Sequence, residues 1–266
     1  MDSTTDSPPR GLLDPRAGAG VYREGFIPVS EDLADIVAHC WTVRWDLRGR
    51  EPFEVEVLPS PAVVLAVDDA RCRVHGVLRG KYVQRLAEQG DIFGITFRPA
   101  GFRTLVGRPV AELTDRVVPG AELFGSDAER LAARIGAESD TEVRRCLAEE
   151  FVRRCSVVES GRTALLNEMV DAILTDRTIV RVDDLTDRFG FGKRHLQKLF
   201  REHIGISPKW AIQRHRLHEA AQRLDEGHTD LAALAAELGY ADQAHFARDF
   251  KTVVGRSPAA YRGGAH

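Results

Sequence analysis

The side chains best placed to do chemistry in this sequence are cations. Between positions 191 and 216 stand Lys193, Arg194, Lys198, Arg201, Lys209, Arg214 and Arg216, seven basic residues against Glu202 alone. The whole-chain balance hides them, because 37 Lys and Arg face 40 Asp and Glu for a net charge of −3. Split at residue 160, the first part carries 21 basic and 26 acidic side chains and the second 16 and 14. Seven of the nine histidines also follow residue 160. A focused positive patch in a near-neutral chain suits contact with an anionic partner. A solvated helix face would produce the same count, so the decision rests on spacing.

The spacing points to a helix-turn-helix. In VDDLTDRFGFGKRHLQKLFR (182–201), a short helix carries Leu185, Phe189-Gly190-Phe191 makes a tight turn, and a second helix turns Leu196, Leu199 and Phe200 inward. Gly190 stands where such a turn needs a permissive backbone, and a positive φ is expected there. Lys193, Arg194, Gln197, Lys198 and Arg201 then face outward, within reach of phosphates or base edges.

The pattern repeats in LAALAAELGYADQAHFARDFK (231–251). Gly239-Tyr240 matches Gly190-Phe191 at a displacement of 49 residues, and Phe246 and Phe250 match Leu196 and Phe200. Gly255-Arg256-Ser257-Pro258 matches Gly205-Ile206-Ser207-Pro208, and in both copies Pro follows Ser at the first turn of a helix. Such a repeat is hard to obtain by chance. The helix between the copies, from Pro208 to about Leu224, is roughly 25 Å long at 1.5 Å per residue. A stiff helix of that kind can hold two reading helices side by side. With centres about 34 Å apart they would meet successive major-groove faces on one side of a duplex.

On this reading the base-facing candidates are Arg194, Gln197 and Lys198 in the first motif and Gln243, His245 and Arg248 in the second. Arginine suits guanine and glutamine adenine. Lys193, Arg201, Lys251 and Arg256 are the phosphate candidates. His195 has a structural alternative, packing on a neighbouring helix, and Tyr240, Phe246 and Phe250 read as core. The first reading helix begins at Gly192, without a capping side chain, whereas Asp242 can cap the second.

The first half is of a different kind. Residues 1–20 are rich in Pro, Gly, Ser and Asp and read as a flexible tail. From 21 to about 125 the signals are short and β-like: Phe53–Val57, Ala62–Val67, Cys72–Leu78 and Ile92–Phe97. Asp68-Asp69 before Arg71 reads as a turn. Residues 31–39 and 81–88 suit short helices at the edges. Helical periodicity appears at Leu131, Ile135, Val143, Leu147 and Phe151, weakened at Gly136 and Ser139, with Asp127 able to cap its start. A further helix runs from Gly161 to Leu174, which puts a domain boundary near 156–161. The expected architecture is therefore α+β with two domains. A β-rich unit at 21–158, with a sheet able to curl toward a barrel and a C-terminal helix, precedes an all-α unit at 161–266.

Trp41, Trp45 and Phe53 suit either a ligand pocket or plain core, and Arg98 and Arg103 either an anionic effector or paired surface charges. Cys72 and His75 find no third or fourth metal ligand in the sequence. Cys40, Cys72, Cys146 and Cys155 include no CxxC pair, which argues against a disulfide framework or a cysteine-held zinc. No apolar run approaches the roughly 18 residues of a membrane span. MDSTTDSPPRG has no signal-peptide core, so a reduced, cytoplasmic protein is expected. No HExxH, GxSxG, P-loop or HxH cluster occurs, and no catalytic residue, cofactor or metal is assigned. A DNA-repair protein would want a reactive, metal-held cysteine cluster, which is missing.

Taken together, Leu185…Gly190…Leu196…Phe200, Gly205-Ile206-Ser207-Pro208, Arg216-Leu217…Ala220, Gly239-Tyr240…Phe246…Arg248…Phe250-Lys251 and Gly255-Arg256-Ser257-Pro258…Tyr261-Arg262 resemble the DNA-binding domain of the AraC/XylS family of bacterial transcription regulators. The likeness covers 165–262. Cys40-Trp41, Phe97–Phe102 and Val110–Asp115 resemble, less specifically, an N-terminal domain of uncharacterised members of that family. The resemblance implies a sequence-specific transcription factor with double-stranded DNA as partner. It also implies a sensing or assembly role for the first half, through a small-molecule effector or a homodimer, and RNA polymerase as a contact if the protein activates. A ligand-independent architectural DNA-binding protein is the alternative.

Overall fold

The computed structural model describes residues 12–13, 18–155 and 161–263. The expected domain boundary lies, but for Gly161, outside the described residues, as does most of the expected tail. The strands are β1 (Leu12–Leu13), β2 (Tyr22–Ile27), β3 (Val37–Asp46), β4 (Phe53–Val57), β5 (Val64–Asp68), β6 (Arg71–His75), β7 (Tyr82–Leu86), β8 (Gln89–Phe97) and β9 (Val117–Pro119). They form two open antiparallel sheets, β1-β4-β7 and β2-β3-β8-β5-β6-β9, which do not close into a barrel. Asp69 and Ala70, both at positive φ (48° and 57°), turn β5 into β6, the turn expected before Arg71.

β8 is central, and Ile92, Phe93 and Ile95 are buried on both its faces. Two of its glycines shape the larger sheet. Gly94 pairs with Trp41 and Gly90 with Trp45, and a Cβ at either glycine would lie 2.0 Å from the indole. The missing side chains let both rings lie across the strand. Trp41 Nε1 donates to Thr96 Oγ1 at 3.1 Å and Trp45 Nε1 to the Ala87 carbonyl at 3.0 Å. Both indoles are thus engaged in the sheet.

Two expected helices are corrected. Residues 81–88 contain the strand β7, because Glu54↔Arg85 and Phe53↔Leu86 pair it with β4. In 31–39 a single 3-10 turn (Glu31–Leu33) gives way to β3 at Val37. Leu12–Leu13, inside the stretch read as a tail, pair with Glu56 and Val57, and Leu13 is buried.

The helices are α1 (Arg103–Val106), α2 (Gly120–Phe124), α3 (Ser126–Ala137), α4 (Thr141–Cys155), α5 (Gly161–Thr175), α6 (Val182–Phe189), α7 (Lys193–His203), α8 (Pro208–Asp225), α9 (Leu231–Glu237), α10 (Gln243–Val254) and α11 (Pro258–Gly263). The periodic stretch at 127–155 is two helices. Glu138 Oε1 accepts from Ser139 and Asp140 N–H between them, and Asp140 Oδ1 accepts from Glu142 and Val143 N–H to start α4. Asp127 does not cap α3; Arg130 and Arg154 hold it instead. Among the described residues no helix is long and apolar enough to cross a membrane.

One hydrophobic cluster runs from the larger sheet into the first helix-turn-helix. It joins Phe93, Ile95, Phe97 and Phe102 through Leu166, Met169, Val170 and Ile173 of α5 to Leu185, Leu196, Leu199 and Phe200. Polar contacts follow the same seam. Asn167 Oδ1 accepts from Ala100 N–H at 3.0 Å, and its Nδ2 donates to the Asp35 carbonyl at 2.8 Å. Arg98 pairs with Asp171 at 2.5 Å, and Thr114 Oγ1 donates to the Gly205 carbonyl at 2.6 Å. Arg98 therefore takes the paired-charge role left open for it. A second cluster holds the second motif (Leu217, Leu224, Leu234, Phe246, Phe250, Tyr261) and takes in Leu13 and Leu58 from the first half.

Candidate nucleic-acid interface

The first motif is α6, a turn at Gly190 and α7. Asp184 Oδ2 accepts from Arg181 and Val180 N–H at 2.7 and 2.9 Å, which fixes the start of α6. Gly190 has φ 71°, the left-handed conformation expected of it, and its N–H donates to the Thr186 carbonyl at 2.9 Å. Leu185, Leu196, Leu199 and Phe200 are buried. Lys193, Arg194, His195, Gln197, Lys198 and Arg201 are exposed, along one side of α7. His195 is exposed and stacks on Phe191 of the preceding turn with ring centroids 5.6 Å apart, rather than packing on a neighbouring helix.

The second motif repeats this plan. Asp230 Oδ1 accepts from Ala232 and Ala233 N–H to start α9, and Gly239 turns the chain at φ 74°. Asp242 Oδ1 accepts from His245 N–H at 2.7 Å and caps α10 as expected, whereas Gly192 gives α7 no side-chain cap. Gln243, His245, Arg248 and Lys251 are exposed and Phe246 and Phe250 buried. Between the motifs, α8 has 18 residues and spans about 27 Å. Ser207 Oγ accepts from Trp210 N–H and Ser257 Oγ from Ala260 N–H, so both Ser-Pro pairs begin helices.

The outward sides of α7 and α10 are left open by the first half. Among the described residues, Arg194, Arg201, Arg248 and Lys251 form no ion pair. Lys193 pairs with Asp183, and Lys198 lies 3.7 Å from Glu202. His245 lies 3.7 Å from Asp249, whose carboxylate also accepts from Gln213 Nε2 at 2.8 Å. Arg256 stands apart from the other phosphate candidates. It is half-buried, 4.7 Å over the Tyr261 ring and 4.0 Å from Glu56 of β4.

Two members of the basic run are not on this surface. Arg214 is 2% exposed; its guanidinium donates to the Arg79 carbonyl and lies 4.6 Å over Trp210. Burial pulls its pKa down to about 10, against a smaller opposing pull from Asp115. Arg216 is half-buried and donates to the Val180 carbonyl. The signal was in the spacing: Trp210, Arg214, Leu217 and Ala221 fall on one helical stripe, so an inward Arg214 follows from periodicity.

In the first half, Tyr22, Phe53, Val55, Glu56 and Lys81 meet Val254 and Arg256 around an open cleft of about 430 Å³. Phe53, one of the three expected pocket aromatics, lines this cleft. Arg103 forms no ion pair among the described residues, and its Nε is buried without a partner. Cys72 and His75 do not converge: Cys72 Sγ lies against Gly120, and His75 packs on Tyr82 at 5.5 Å. No group of three His, Cys, Asp or Glu side chains among the described residues is placed to hold a metal.

Comparison with known proteins matches this arrangement to a family. A helix-turn-helix domain family matches residues 185–264, and a domain of unknown function (DUF6597) matches residues 26–119. The transcriptional activator AarP of Providencia stuartii is 33% identical over 112 residues, 42% of this chain and 82% of AarP. The probable transcription factor PqrA of Proteus vulgaris is 31% identical over 83 residues, 31% of this chain and 68% of PqrA. Among solved structures, ToxT of Vibrio cholerae aligns over 91% of this chain and 96% of its own, at 12% identity and a TM-score of 0.41. With two helix-turn-helix units on one linker helix, and relatives matched across most of their own length, the chain belongs to the AraC/XylS family of DNA-binding transcription regulators.

Proposed function

We propose that this regulator reads one specific duplex site with both motifs, α7 and α10 lying in successive major-groove faces with α8 as the spacer. The observation that carries the reading is the pair of outward helix faces, polar and basic, uncovered by the rest of the protein. Arg194, Gln197 and Lys198 contact bases from α7, and Gln243, His245 and Arg248 from α10. Lys193, Arg201 and Lys251 contact phosphates. Arg256 does so once it leaves Glu56. The first half modulates binding through an effector or through dimerisation, and in an activator the assembled complex contacts RNA polymerase. The architectural alternative draws support from the continuous core between the halves, which ties the first motif to the sheet without any ligand.

The test is selection of bound fragments from random duplexes. The expected product is an asymmetric site with two preferred segments about ten base pairs apart. Arg194→Ala should flatten preference in one segment and Arg248→Ala in the other, with the fold intact. Recovery of duplexes with no common sequence would refute specific reading. Thermal-shift measurement against a metabolite panel separates the sensor from the architectural alternative.

A further inference from the structure

One guanidinium bridges the approach to the first motif and the turn of the second. Arg216, in the middle of α8, donates from Nη2 to the carbonyl of Val180. Val180 immediately precedes the start of the first motif, where its own N–H and that of Arg181 are held by Asp184. The same guanidinium lies 5.4 Å over the ring of Tyr240, in the turn of the second motif. Tyr240 packs on Phe246, the first buried residue of α10, at 5.4 Å between centroids. Beside them Gly239 rests against Val180, and a Cβ on Gly239 would lie 3.0 Å from Val180 Cγ1.

We propose that Arg216 is the positioning residue that sets the spacing between the two reading helices. This extends the two-helix reading proposed above and rests on it. Arg216 stands on α8, half-buried, and acts through Val180 and Tyr240. A planar guanidinium can donate in its plane while stacking with its face, which the point-like ammonium of lysine cannot. With the tie in place, α10 holds one angle relative to α7. Without it, both hydrophobic clusters remain, since Arg216 belongs to neither, and α8 with the second motif packed on it can shift against Val180 and the first motif.

Operator spacing gives the readout. Inserting or deleting one base pair between the two selected segments shifts them by about 3.4 Å along the duplex and about 34° around it. The wild-type protein should favour the selected spacing over either altered one by about tenfold or more, the value of one well-made base contact. In Arg216→Met, which keeps the stem and loses the guanidinium, that preference should fall to within about threefold, because α10, carried on an α8 no longer tied to Val180, recovers contacts on the altered sites. Arg216→Lys, which can donate or lie over the ring but not do both, should fall between; it carries the test alone if Arg216→Met does not fold by circular dichroism. A variant that loses affinity equally on all three duplexes, keeping the wild-type ratio, overturns the proposal and leaves Arg216 a stability residue. A wild-type protein indifferent to spacing would defeat the two-helix reading itself, and this inference with it.

Discussion

Asn167 is the polar hinge pin of the seam between the sheet and the helical half, and replacing it should loosen both. The side chain is 2% exposed and makes two hydrogen bonds across the seam, from Ala100 N–H and to the Asp35 carbonyl. Asn167→Leu removes both while keeping a side chain of the same branched shape, so no cavity opens. The two orphaned groups differ. Ala100 is fully buried, and its N–H would lose its partner where water cannot replace it, at about 1–3 kcal/mol. Asp35 is exposed, so its carbonyl can turn to solvent, and losing that bond costs about 0.5–1 kcal/mol. The expected loss is therefore about 1.5–4 kcal/mol.

Urea unfolding followed by far-ultraviolet circular dichroism and by tryptophan fluorescence measures this. Two of the three tryptophans, Trp41 and Trp45, stand in β3, while the dichroism is dominated by α3 to α11. If the sheet and the first motif share one core, the two signals follow one curve in the wild type. The variant should shift both together to lower urea. A loss below about 0.5 kcal/mol would refute the assignment of these two bonds as buried ties. Separate transitions in the wild type would refute the shared core itself.

Two further outcomes follow from the charges. Arg201 forms no ion pair among the described residues, so a phosphate contact there releases a counterion outright; Arg201→Ala should reduce the salt slope of DNA binding by about 0.9. Lys193 must first leave Asp183, and Lys193→Ala should change the slope by less; equal slopes for wild type and Arg201→Ala would remove Arg201 from the phosphate set. Glu149, beside Ser30, gives a pH test. Burial alone would raise its carboxyl, but the Ser30 N–H and hydroxyl and Arg145 outweigh that and hold it below the ordinary carboxylate range. A lowered folded pKa contributes stability that is complete above the unfolded value near 4.3 and lost as the pH falls through the folded one. The stability gap between wild type and Glu149→Gln should be widest at pH 6–7 and close in acid, and a gap that does not vary with pH would show that the charge of Glu149 contributes nothing.

The helical half was legible because its signals are local. Gly190 and Gly239 mark turns at fixed offsets from buried aromatics, and Asp242 caps its own helix, so the pattern carries its geometry within a few residues. The sheet was less legible because its determinants lie far apart in sequence. β3 carries no clean polar–apolar alternation, since Cys40-Trp41-Thr42-Val43 runs without a charge and the register shifts between Val37 and His39. β7 read as a helix because what makes it a strand is β4, 25 residues away across the Lys81–Glu56 ion pair. The roles of Trp41 and Trp45 were hidden for the same reason, since nothing near them in sequence announces Gly94 and Gly90. Of the candidate site, the outward cations of α7 and α10 followed from helical period. Arg256 did not, because its neighbours Glu56 and Tyr261 come from two other elements.

The unequal attachment of the two motifs bears on how the first half can act on DNA binding. α7 stands on a core shared with the sheet, and Val110 and Thr114 press on Gly205 just beyond its end. A rigid swing of the first motif would expose Phe102, Leu166 and Phe200 together, each worth about 1.5–3 kcal/mol on burial. A ligand shifts an equilibrium only by its differential affinity for the two states, so a swing would demand most of a tight ligand's binding energy. α10 meets the first half through less: Leu13 and Leu58 in its own cluster, and Arg256 beside Glu56 at the rim of an open cleft. Small shifts there move one cation and the end of one reading helix without opening the shared core. Under the proposed modulation by the first half, control of DNA binding therefore runs more cheaply through the second motif, with the first held as the fixed reference for the site.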